Sequence, residues 1–297
     1  MRAAVVTTFG GPEAVRVVQT EVPEPAARQV RIKVAAAALN PVDAGMRAGV
    51  FGGEGKQVGL GWDVAGTVDA VGAASAWNVG DEVVALHPGV ADKPLGSHAE
   101  YVVVGTDAVA LAPRTVGVVA AATLPLNALA AVQALDLLEL APGQSLLVTG
   151  AAGAVGGYAV QLAVRRGVSV TALARAGDEE FVRSLGASHF AVGGAEAGAF
   201  DAVLDAAILG ETALAWVRDG GAFVGVIPKA HPASVRGVRT TAVEVQADGV
   251  RLAELVGLVD EGALTLRVAE TYALDEASKA HARLAEGGVR GRIVLVP

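Results

Sequence analysis

The chain has 297 residues, 53% of them hydrophobic and 18% charged, and its formal net charge is −8. That length allows one large domain or two ordinary domains with substantial cores. Nucleic-acid binding is not expected, because this acidic chain shows no basic stripe. The absence of cysteine excludes disulfides and thiolate metal sites, and it fits a reducing cytoplasm.

The sequence also gives no sign of export or of membrane insertion. Its N-terminus, Met1-Arg-Ala-Ala-Val-Val-Thr7, lacks the hydrophobic core of a signal peptide. The uncharged stretch 115–135 is long enough to span a bilayer, but it is rich in alanine and contains Pro125, Asn127 and Gln133. We therefore predict a cytoplasmic protein with no membrane partner.

Short strand patterns dominate the first part of the chain, up to about residue 115. The runs alternate in polarity or carry valine, and Gly, Pro and Asp residues separate them. The predicted strands are Ala3–Thr7, Val15–Gln19, Gln29–Ala36, Gly66–Val71, Glu82–Leu86 and His98–Val104. Together they indicate a compact antiparallel barrel.

From about Val118 onward, strands alternate with helices. The predicted helices are Ala128–Glu139, Asp178–Leu185, Glu211–Arg218 and Arg251–Glu261. The predicted strands are Ser145–Thr149, Val168–Leu173, His189–Val192, Ala202–Leu204, Ala222–Ile227 and Val238–Val245. This alternation implies a parallel sheet. The alternation ends in the last stretch, where a helix is predicted at Leu274–Glu286 between strands at Thr265–Ala269 and Arg292–Val296. This stretch is expected to return to the first domain.

The strongest functional signal lies between Gln144 and Arg166. A short strand is followed by Gly150-Ala-Ala-Gly-Ala-Val-Gly-Gly157 and then by an amphipathic helix pattern. Glycines permit a tight turn and a close backbone approach, and the helix N-terminus offers free N–H groups to an anion. Small-residue turns are common, but the strand before this one and the helix after it favour a pyrophosphate site. The predicted ligands are backbone groups of Gly150, Ala152, Gly153, Ala154, Val155 and Gly156.

Several short motifs follow one another along the chain. They are Asn40-Pro-Val-Asp43, Gly61-Trp-Asp-Val-Ala-Gly66, Val79-Gly-Asp-Glu-Val-Val84, Gly96-Ser-His-Ala-Glu-Tyr101, Ala121-Ala-Thr-Leu-Pro125, the glycine turn, Leu185-Gly-Ala187 and Arg290-Gly-Arg-Ile-Val-Leu295. In order and spacing they resemble the medium-chain dehydrogenase/reductase superfamily, in its zinc-free, quinone oxidoreductase-like branch. The resemblance implies an α/β fold: a GroES-like β-barrel domain (1–117), a Rossmann domain with a doubly wound parallel sheet (118–246), and a C-terminal return to the first domain (247–297). It also implies that a cleft between the domains holds the nicotinamide and the substrate.

The chain departs from the zinc-dependent members of that superfamily. They bind zinc through Cys, His and further Cys or acidic ligands, whereas this chain has no cysteine and carries Trp62 where a ligand His would stand. Its five histidines are scattered along the sequence, and no metal site is predicted. Without a Lewis acid, oxidation of a simple alcohol has no means of stabilising the alkoxide, but reduction of an activated acceptor needs none.

The sequence does not identify a general acid. Phe51 stands where several relatives have a tyrosine, and Ala130 stands where the family has a threonine near the nicotinamide. The tyrosines Tyr101, Tyr158 and Tyr272 are better explained as structural residues. Hydride transfer to a quinone or a conjugated enone gives a stabilised anion, which water could protonate.

The end of the second predicted Rossmann strand, Thr171-Ala-Leu-Ala-Arg175, favours NADPH over NADH. An NAD site usually places Asp or Glu here to bond the ribose hydroxyls. Small residues and the forked guanidinium of Arg175 suit a 2′-phosphate instead. Two alternatives remain: Arg175 is a solvated residue, or the strand ends later, so that Asp178, Glu179 or Glu180 faces the ribose.

Other pocket residues follow from the resemblance. It places Asn40 beside the nicotinamide ribose, although an Asx turn before a proline explains the same residue. Val226 and Ile227 end a predicted strand and are expected to meet the carboxamide through backbone groups. Phe51 and Trp62 are expected to form the acceptor side of the pocket, unless they belong to the barrel core.

These features predict a zinc-independent, NADPH-dependent reductase of a small-molecule acceptor, either a quinone or an α,β-unsaturated carbonyl. The alternatives are a biosynthetic enoyl or ketone reductase with one dedicated substrate, and a low-turnover NADPH-binding sensor or partner protein. The Val- and Thr-rich strand Val238–Val245 is an expected sheet edge, which a second copy would cover in a homodimer.

Overall fold

The computed structural model describes residues 1–87 and 95–297. The chain divides into two compact units. The first unit comprises Met1–Leu126, Gln246–Gly262 and Leu266–Pro297, and the second comprises Asn127–Val245 and Ala263–Thr265. Within the described residues, no helix combines the length and the apolar character needed to cross a membrane.

The described residues of the N-terminal part of the first unit form mainly strands, together with two short α-helices. The strands are β1 (Arg2–Val6), β2 (Arg16–Gln19), β3 (Gln29–Leu39), β4 (Val58–Gly59), β5 (Asp63–Val71), β6 (Glu82–Leu86), β7 (Tyr101–Gly105) and β8 (Val109–Leu111), and the helices are α1 (Pro41–Arg47) and α2 (Val118–Ala121). β1 pairs with β2 and β4 in a small antiparallel sheet. The other strands join a larger sheet around β3, the longest of them.

The second unit contains one parallel sheet flanked by helices. After α3 (Pro125–Leu138), its elements are β9 (Ser145–Thr149), α4 (Ala154–Arg165), β10 (Ser169–Leu173), α5 (Glu179–Ser184), β11 (His189–Ala191), β12 (Phe200–Asp205), α6 (Glu211–Leu214), β13 (Val217–Gly225) and β14 (Arg239–Ala242). The strand order is β11-β10-β9-β12-β13-β14, and every neighbouring pair is parallel. The order reverses direction between β9 and β12, which confirms the predicted doubly wound sheet. Such a switch point is where the carboxyl ends of the strands form a ligand-binding crevice.

The C-terminal part of the chain adds two strands to the larger sheet of the first unit. It contains α7 (Gly249–Asp260), β15 (Val268–Ala273), α8 (Ala277–Ala285) and β16 (Arg292–Val296). β16 pairs antiparallel with the end of β3, where Ile293 lies opposite Leu39. The sheet runs β15-β16-β3-β5-β6-β8, and β7 also pairs with β3. Alternate side chains of these strands are buried together, including Val30, Ile32, Val64, Val68, Val83, Val102 and Val104.

Several local elements differ from the sequence prediction; for example, β13 begins at Val217 instead of Ala222, and β15 spans Val268–Ala273 instead of Thr265–Ala269. The segment expected as a turn after Asn40 forms the helix α1, with Pro41 at its first position. Seven residues are too few to show a helical period in the sequence. The helix predicted over Glu211–Arg218 ends at Leu214, because Val217 already pairs in the parallel sheet.

The division between the units falls after Leu126, later in the chain than the boundary at 117/118 expected from the sequence. The intervening helix α2 packs against β3 and β5 of the first unit. The helix consists only of valine and alanine, so its composition does not indicate which core it joins.

Candidate functional site

Close backbone contacts shape the glycine turn after β9. Gly150 has a φ of +58°, a left-handed conformation that favours glycine. A Cβ on Gly156 would lie 2.3 Å from the Gly150 carbonyl oxygen, so α4 can begin directly against the turn only with glycine at this position. The same oxygen accepts a 2.8 Å hydrogen bond from the Gly153 N–H, and the Ala151 N–H donates to Leu173 of β10 at 3.1 Å. The turn is therefore fixed to both β9 and β10.

The predicted phosphate ligands lie together in this turn and at the start of α4. Gly153 is the N-cap residue of α4 and is exposed, and Ala154 and Val155 are the first helical residues and half-buried. The first amides of a helix have no acceptor inside the helix, and the helix dipole adds positive character. A tight turn that leads directly into an exposed helix N-terminus fits the pyrophosphate of a dinucleotide.

A buried carboxylate holds the next loop beside the glycine turn. Asp205 ends β12 and accepts a 2.6 Å hydrogen bond from Thr149 Oγ1 and a 2.8 Å bond from the Gly210 N–H. The Thr149 hydroxyl oxygen accepts from the Ala207 N–H at 2.9 Å. Sequence patterns do not single out Asp205; the one available signal is an acid placed directly after a buried apolar run.

The strands β9, β12 and β13 end side by side, because Thr149, Asp205 and Gly225 are neighbours in register. Val226 and Ile227 follow Gly225; the first is half-buried and the second is 40% exposed. Both residues therefore lie on the same edge of the sheet as the glycine turn, where a parallel sheet binds its ligand.

Arg175 follows β10 and is exposed to solvent. Within the part of the chain that the structure describes, its guanidinium has no ion-pair or hydrogen-bond partner. Of the acids that could have faced the ribose instead, Asp178 is buried and Glu179 accepts a 2.8 Å hydrogen bond from Arg183 Nε. The Arg175 guanidinium is thus available to a ligand bound at the carboxyl end of β10, the strand next to β9.

In the first unit, Asn40 belongs to a buried polar cluster between β3 and α1. The residue is 1% exposed, and its backbone N–H donates to Asp43 Oδ2 at 2.7 Å. Asp43 Oδ1 accepts from the Gly61 N–H at 2.9 Å, which ties the start of α1 to the segment before β5. Burial raises the pKa of the Asp43 carboxyl.

The side chain of Asn40 donates to a second buried carboxylate. Asn40 Nδ2 lies 2.6 Å from Asp63 Oδ2, and Asp63 Oδ1 accepts from the Leu126 N–H at 2.6 Å. Burial raises the pKa of Asp63 to about 7; Asp43 acts in the same direction, while the two donors and Arg292 oppose it. Asp63 stands in the Gly61–Gly66 motif, but the sequence pattern alone does not assign it to the site.

Two of the histidines that are scattered in the sequence meet in the core of the first unit. The rings of His98 and His281 are buried, and their centroids lie 6.3 Å apart. His98 Nε2 lies 3.1 Å from the Ala38 carbonyl oxygen and donates to it, because a carbonyl can only accept. His281 Nδ1 lies 3.1 Å from Arg47 Nη1 and accepts from it, and burial lowers the pKa of His281 to about 3. Among the described residues, no group of three or more His, Asp or Glu side chains could hold a metal ion.

Phe51 and Trp62 have different surroundings in the first unit. Phe51 is 46% exposed and lies close to α1, where a Cβ on Gly45 would be 3.1 Å from its ring. Trp62 is half-buried and directly precedes Asp63, and its Nε1 is buried without a partner in the described part of the chain. Phe51 therefore packs on α1, whereas Trp62 is linked to the Asn40–Asp63 pair only by its position next to Asp63 in the chain.

Two family models match the chain. The model of the alcohol dehydrogenase GroES-like domain matches residues 26–114, and a model described as zinc-binding dehydrogenase matches residues 176–295. The second description refers to zinc, whereas this chain has no cysteine to serve as a ligand.

Similar proteins cover the chain from end to end. It is 32% identical to a 2-methylene-furan-3-one reductase of Solanum lycopersicum, over 100% of this chain and 79% of that protein. It is 36% identical to a chloroplastic NADPH-dependent alkenal/one oxidoreductase of Arabidopsis thaliana, over 82% of this chain and 67% of that protein. The structure of the quinone oxidoreductase from Coxiella burnetii, 28% identical, matches with a TM-score of 0.89 over 100% of this chain and 99% of that chain. These matches agree with the GroES-like fold of the first unit and the Rossmann sheet of the second. The chain belongs to the medium-chain dehydrogenase/reductase superfamily, in its quinone oxidoreductase-like branch.

Proposed function

We propose that the protein is a cytoplasmic, zinc-independent reductase that uses NADPH to transfer a hydride to a quinone or an α,β-unsaturated carbonyl. The observation that carries this proposal is the glycine turn at the switch point of the sheet, with Arg175 exposed at the end of the adjacent strand. Similar proteins named as an alkenal/one oxidoreductase and a quinone oxidoreductase support the acceptor class.

The second unit supplies the groups that would hold the cofactor. Backbone N–H groups from Gly153 to Val155 meet the pyrophosphate, and Arg175 pairs with the 2′-phosphate. Backbone groups of Val226 and Ile227 orient the carboxamide. When bound, the reduced nicotinamide supplies the hydride. The relative named as NADPH-dependent supports this choice of cofactor.

An activated acceptor suits the side chains of the first unit. Hydride addition to an enone or a quinone gives an anion whose charge is delocalised onto oxygen, and a solvent proton completes the reduction. Neither step requires an acid at the position of Phe51. In this scheme Asn40 positions the nicotinamide or the acceptor through its amide, and Phe51 and Trp62 supply apolar contacts to the acceptor.

Steady-state oxidation of NADPH with a panel of quinones, enones and simple ketones tests the proposal. We expect turnover with quinones or enones and no loss of rate after treatment with a chelator. NADPH binding without turnover on any acceptor would identify a sensor or partner protein instead. Turnover confined to one acceptor of the panel would favour a dedicated biosynthetic reductase, and a rate abolished by the chelator would contradict zinc independence.

Exchange of Arg175 for alanine is expected to remove the preference for NADPH. Hydrogen bonds to charged groups contribute about 1.5–3 kcal/mol, which corresponds to roughly a tenfold to hundredfold effect. The Michaelis constant for NADPH should rise by that factor in Arg175→Ala, while the constant for NADH stays nearly unchanged. Added salt should weaken the preference of the wild type, because the guanidinium is exposed.

Arg183→Ala is the matched control for this experiment. Arg183 lies in the same unit and is half exposed, but its guanidinium already pairs with Glu179. A wild type that uses both cofactors equally, or an Arg175 variant that loses affinity for both alike, would show that Arg175 is a solvated residue.

The edge of the parallel sheet is proposed as the interface of a homodimer. β14 pairs with β13 on one side, and among the described residues no strand pairs with its other side. An unprotected edge strand is usually paired or covered, and a twofold axis would join two such edges into one sheet. Light scattering should therefore give twice the 29.7 kDa of one chain. A monomer mass at micromolar concentration would contradict the dimer.

A further inference from the structure

We infer that Asp63 is a positioning residue for this reaction: its carboxylate fixes the side-chain amide of Asn40 in one orientation, and protonation of the carboxylate releases the amide and slows hydride transfer. The inference rests on the proposed function, because it assigns Asn40 a role in positioning the nicotinamide or the acceptor. The coupling between the two side chains can be measured without any turnover.

Both oxygens of Asp63 accept hydrogen bonds, one from the Leu126 N–H and one from the NH2 group of the Asn40 amide. The Leu126 N–H reaches Oδ1 and the Asn40 amide reaches Oδ2, each at 2.6 Å, and the carboxylate is fully buried. Hydrogen bonds from N–H groups to an ionised carboxylate are shorter and stronger than those to a neutral acceptor. The geometry therefore matches the ionised carboxylate, which is an acceptor at both oxygens.

The amide of Asn40 has two orientations that differ by exchange of its oxygen and nitrogen. Its Nδ2 lies 2.6 Å from Asp63 Oδ2 and 3.4 Å from the Ala38 carbonyl oxygen, and both of these partners are acceptors. A flipped amide would place its own oxygen against two acceptors. Ionised Asp63 thus selects the orientation in which Nδ2 faces inward.

Protonation of Asp63 removes this selection. One of the two oxygens becomes a hydroxyl, and its proton then faces either the Leu126 N–H or Asn40 Nδ2, neither of which can accept it. If the proton lies on the oxygen next to Asn40, the amide satisfies it by flipping, which breaks the contact of Nδ2 with the Ala38 carbonyl. The amide then has two competing orientations instead of one.

Burial, together with the charged groups around Asp63, places this change within an accessible pH range. Asp43 faces it from α1 and Arg292 faces it from β16, with opposite effects on its charge. Burial is the larger influence and raises the pKa of Asp63 to about 7. Ionised Asp63 therefore predominates above neutral pH, and the protonated form predominates below it.

The first measurement follows the Asn40 side-chain amide by NMR while the pH is changed, in wild type and in Asp63→Asn. We expect the wild-type amide signals of Asn40 to shift with a midpoint near pH 7, and we expect no such titration in the variant. Asp69→Asn is the control, because Asp69 lies on the same strand, is partly exposed and pairs with Arg31. Amide signals that do not move in wild type, or that titrate alike in Asp63→Asn, overturn the inference.

The second measurement is the pH profile of kcat at saturating NADPH and acceptor. If only the ionised form positions Asn40, kcat should fall about tenfold per pH unit below the midpoint. Asp63→Asn should show a low kcat without this step and a Michaelis constant for NADPH close to that of wild type. A wild-type kcat that does not change between about pH 5.5 and 8.5 overturns the kinetic part of the inference, even if the variant fails to fold. A wild type that turns over no quinone or enone contradicts the proposed function, and the amide titration then decides the coupling on its own.

Discussion

Gly156→Ala is expected to destabilise the second unit and to abolish cofactor binding. The new Cβ would lie 2.3 Å from the Gly150 carbonyl oxygen, 2.8 Å from its carbon and 2.9 Å from Ala151 Cα. All three atoms belong to the backbone, so no side-chain rotation relieves the overlap. Overpacking typically costs about 1–3 kcal/mol, and we expect the upper end of that range here. Movement of the Gly150 carbonyl would also displace the turn that is proposed to hold the pyrophosphate.

Gly157→Ala is the matched control, because it makes the same chemical change at the next position of α4. Its Cβ would lie 3.5 Å from Leu185 Cδ1 and 3.6 Å from the Ala151 oxygen, which are ordinary contacts. Alanine is favoured over glycine inside a helix by about 1 kcal/mol, so this variant should be as stable as wild type or more so. Urea unfolding and the fluorescence of bound NADPH measure the two effects. Equal behaviour of the two variants would show that the close approach at Gly156 does not limit the turn.

Acid is expected to destabilise the first unit through His281. In the unfolded chain this imidazole takes up its proton near pH 6.5. In the folded chain burial lowers its pKa to about 3, helped by the neighbouring His98 and Arg47. Between these values the unfolded state binds more protons, so the free energy of unfolding decreases as the pH falls. The loss is about 1.4 kcal/mol for each pH unit in that window.

The buried carboxylates act in the opposite direction over part of the same range. Because the folded-state pKa of Asp63 is raised to about 7, its contribution to stability is lost as the pH rises from about 4 through 7. The effect of His281 is therefore measured as the difference in the free energy of unfolding between wild type and His281→Gln. Glutamine keeps an oxygen that can accept from Arg47, but it does not titrate.

We expect the stability of wild type relative to His281→Gln to fall by about 2–3 kcal/mol between pH 6.5 and 4.5. Urea unfolding curves at a series of pH values measure this difference. His189→Gln is the control, because the side chain at this position is exposed. A difference between wild type and His281→Gln that is independent of pH would mean that the imidazole is not held neutral in the folded protein.

Local patterns in the sequence determined the parallel sheet and the glycine turn. β9 has the predicted bounds, and the turn after it brings Gly150, Gly153 and Gly156 together, because strand alternation and glycine conformation depend on neighbouring residues. The position of Arg175 after β10 follows in the same way from the length of one strand.

The polar contacts of the first unit were decided only by the tertiary structure. Asn40 meets Asp63 across 23 residues of sequence, Leu126 meets Asp63 across 63, and His281 meets Arg47 across 234. No local period encodes such distances, because they depend on which strands pair and in which register. The same residues look like a turn, a strand start and isolated histidines in the sequence. These residues become buried only when the sheet forms. Their burial then shifts the pKa values of Asp63 and His281 in opposite directions.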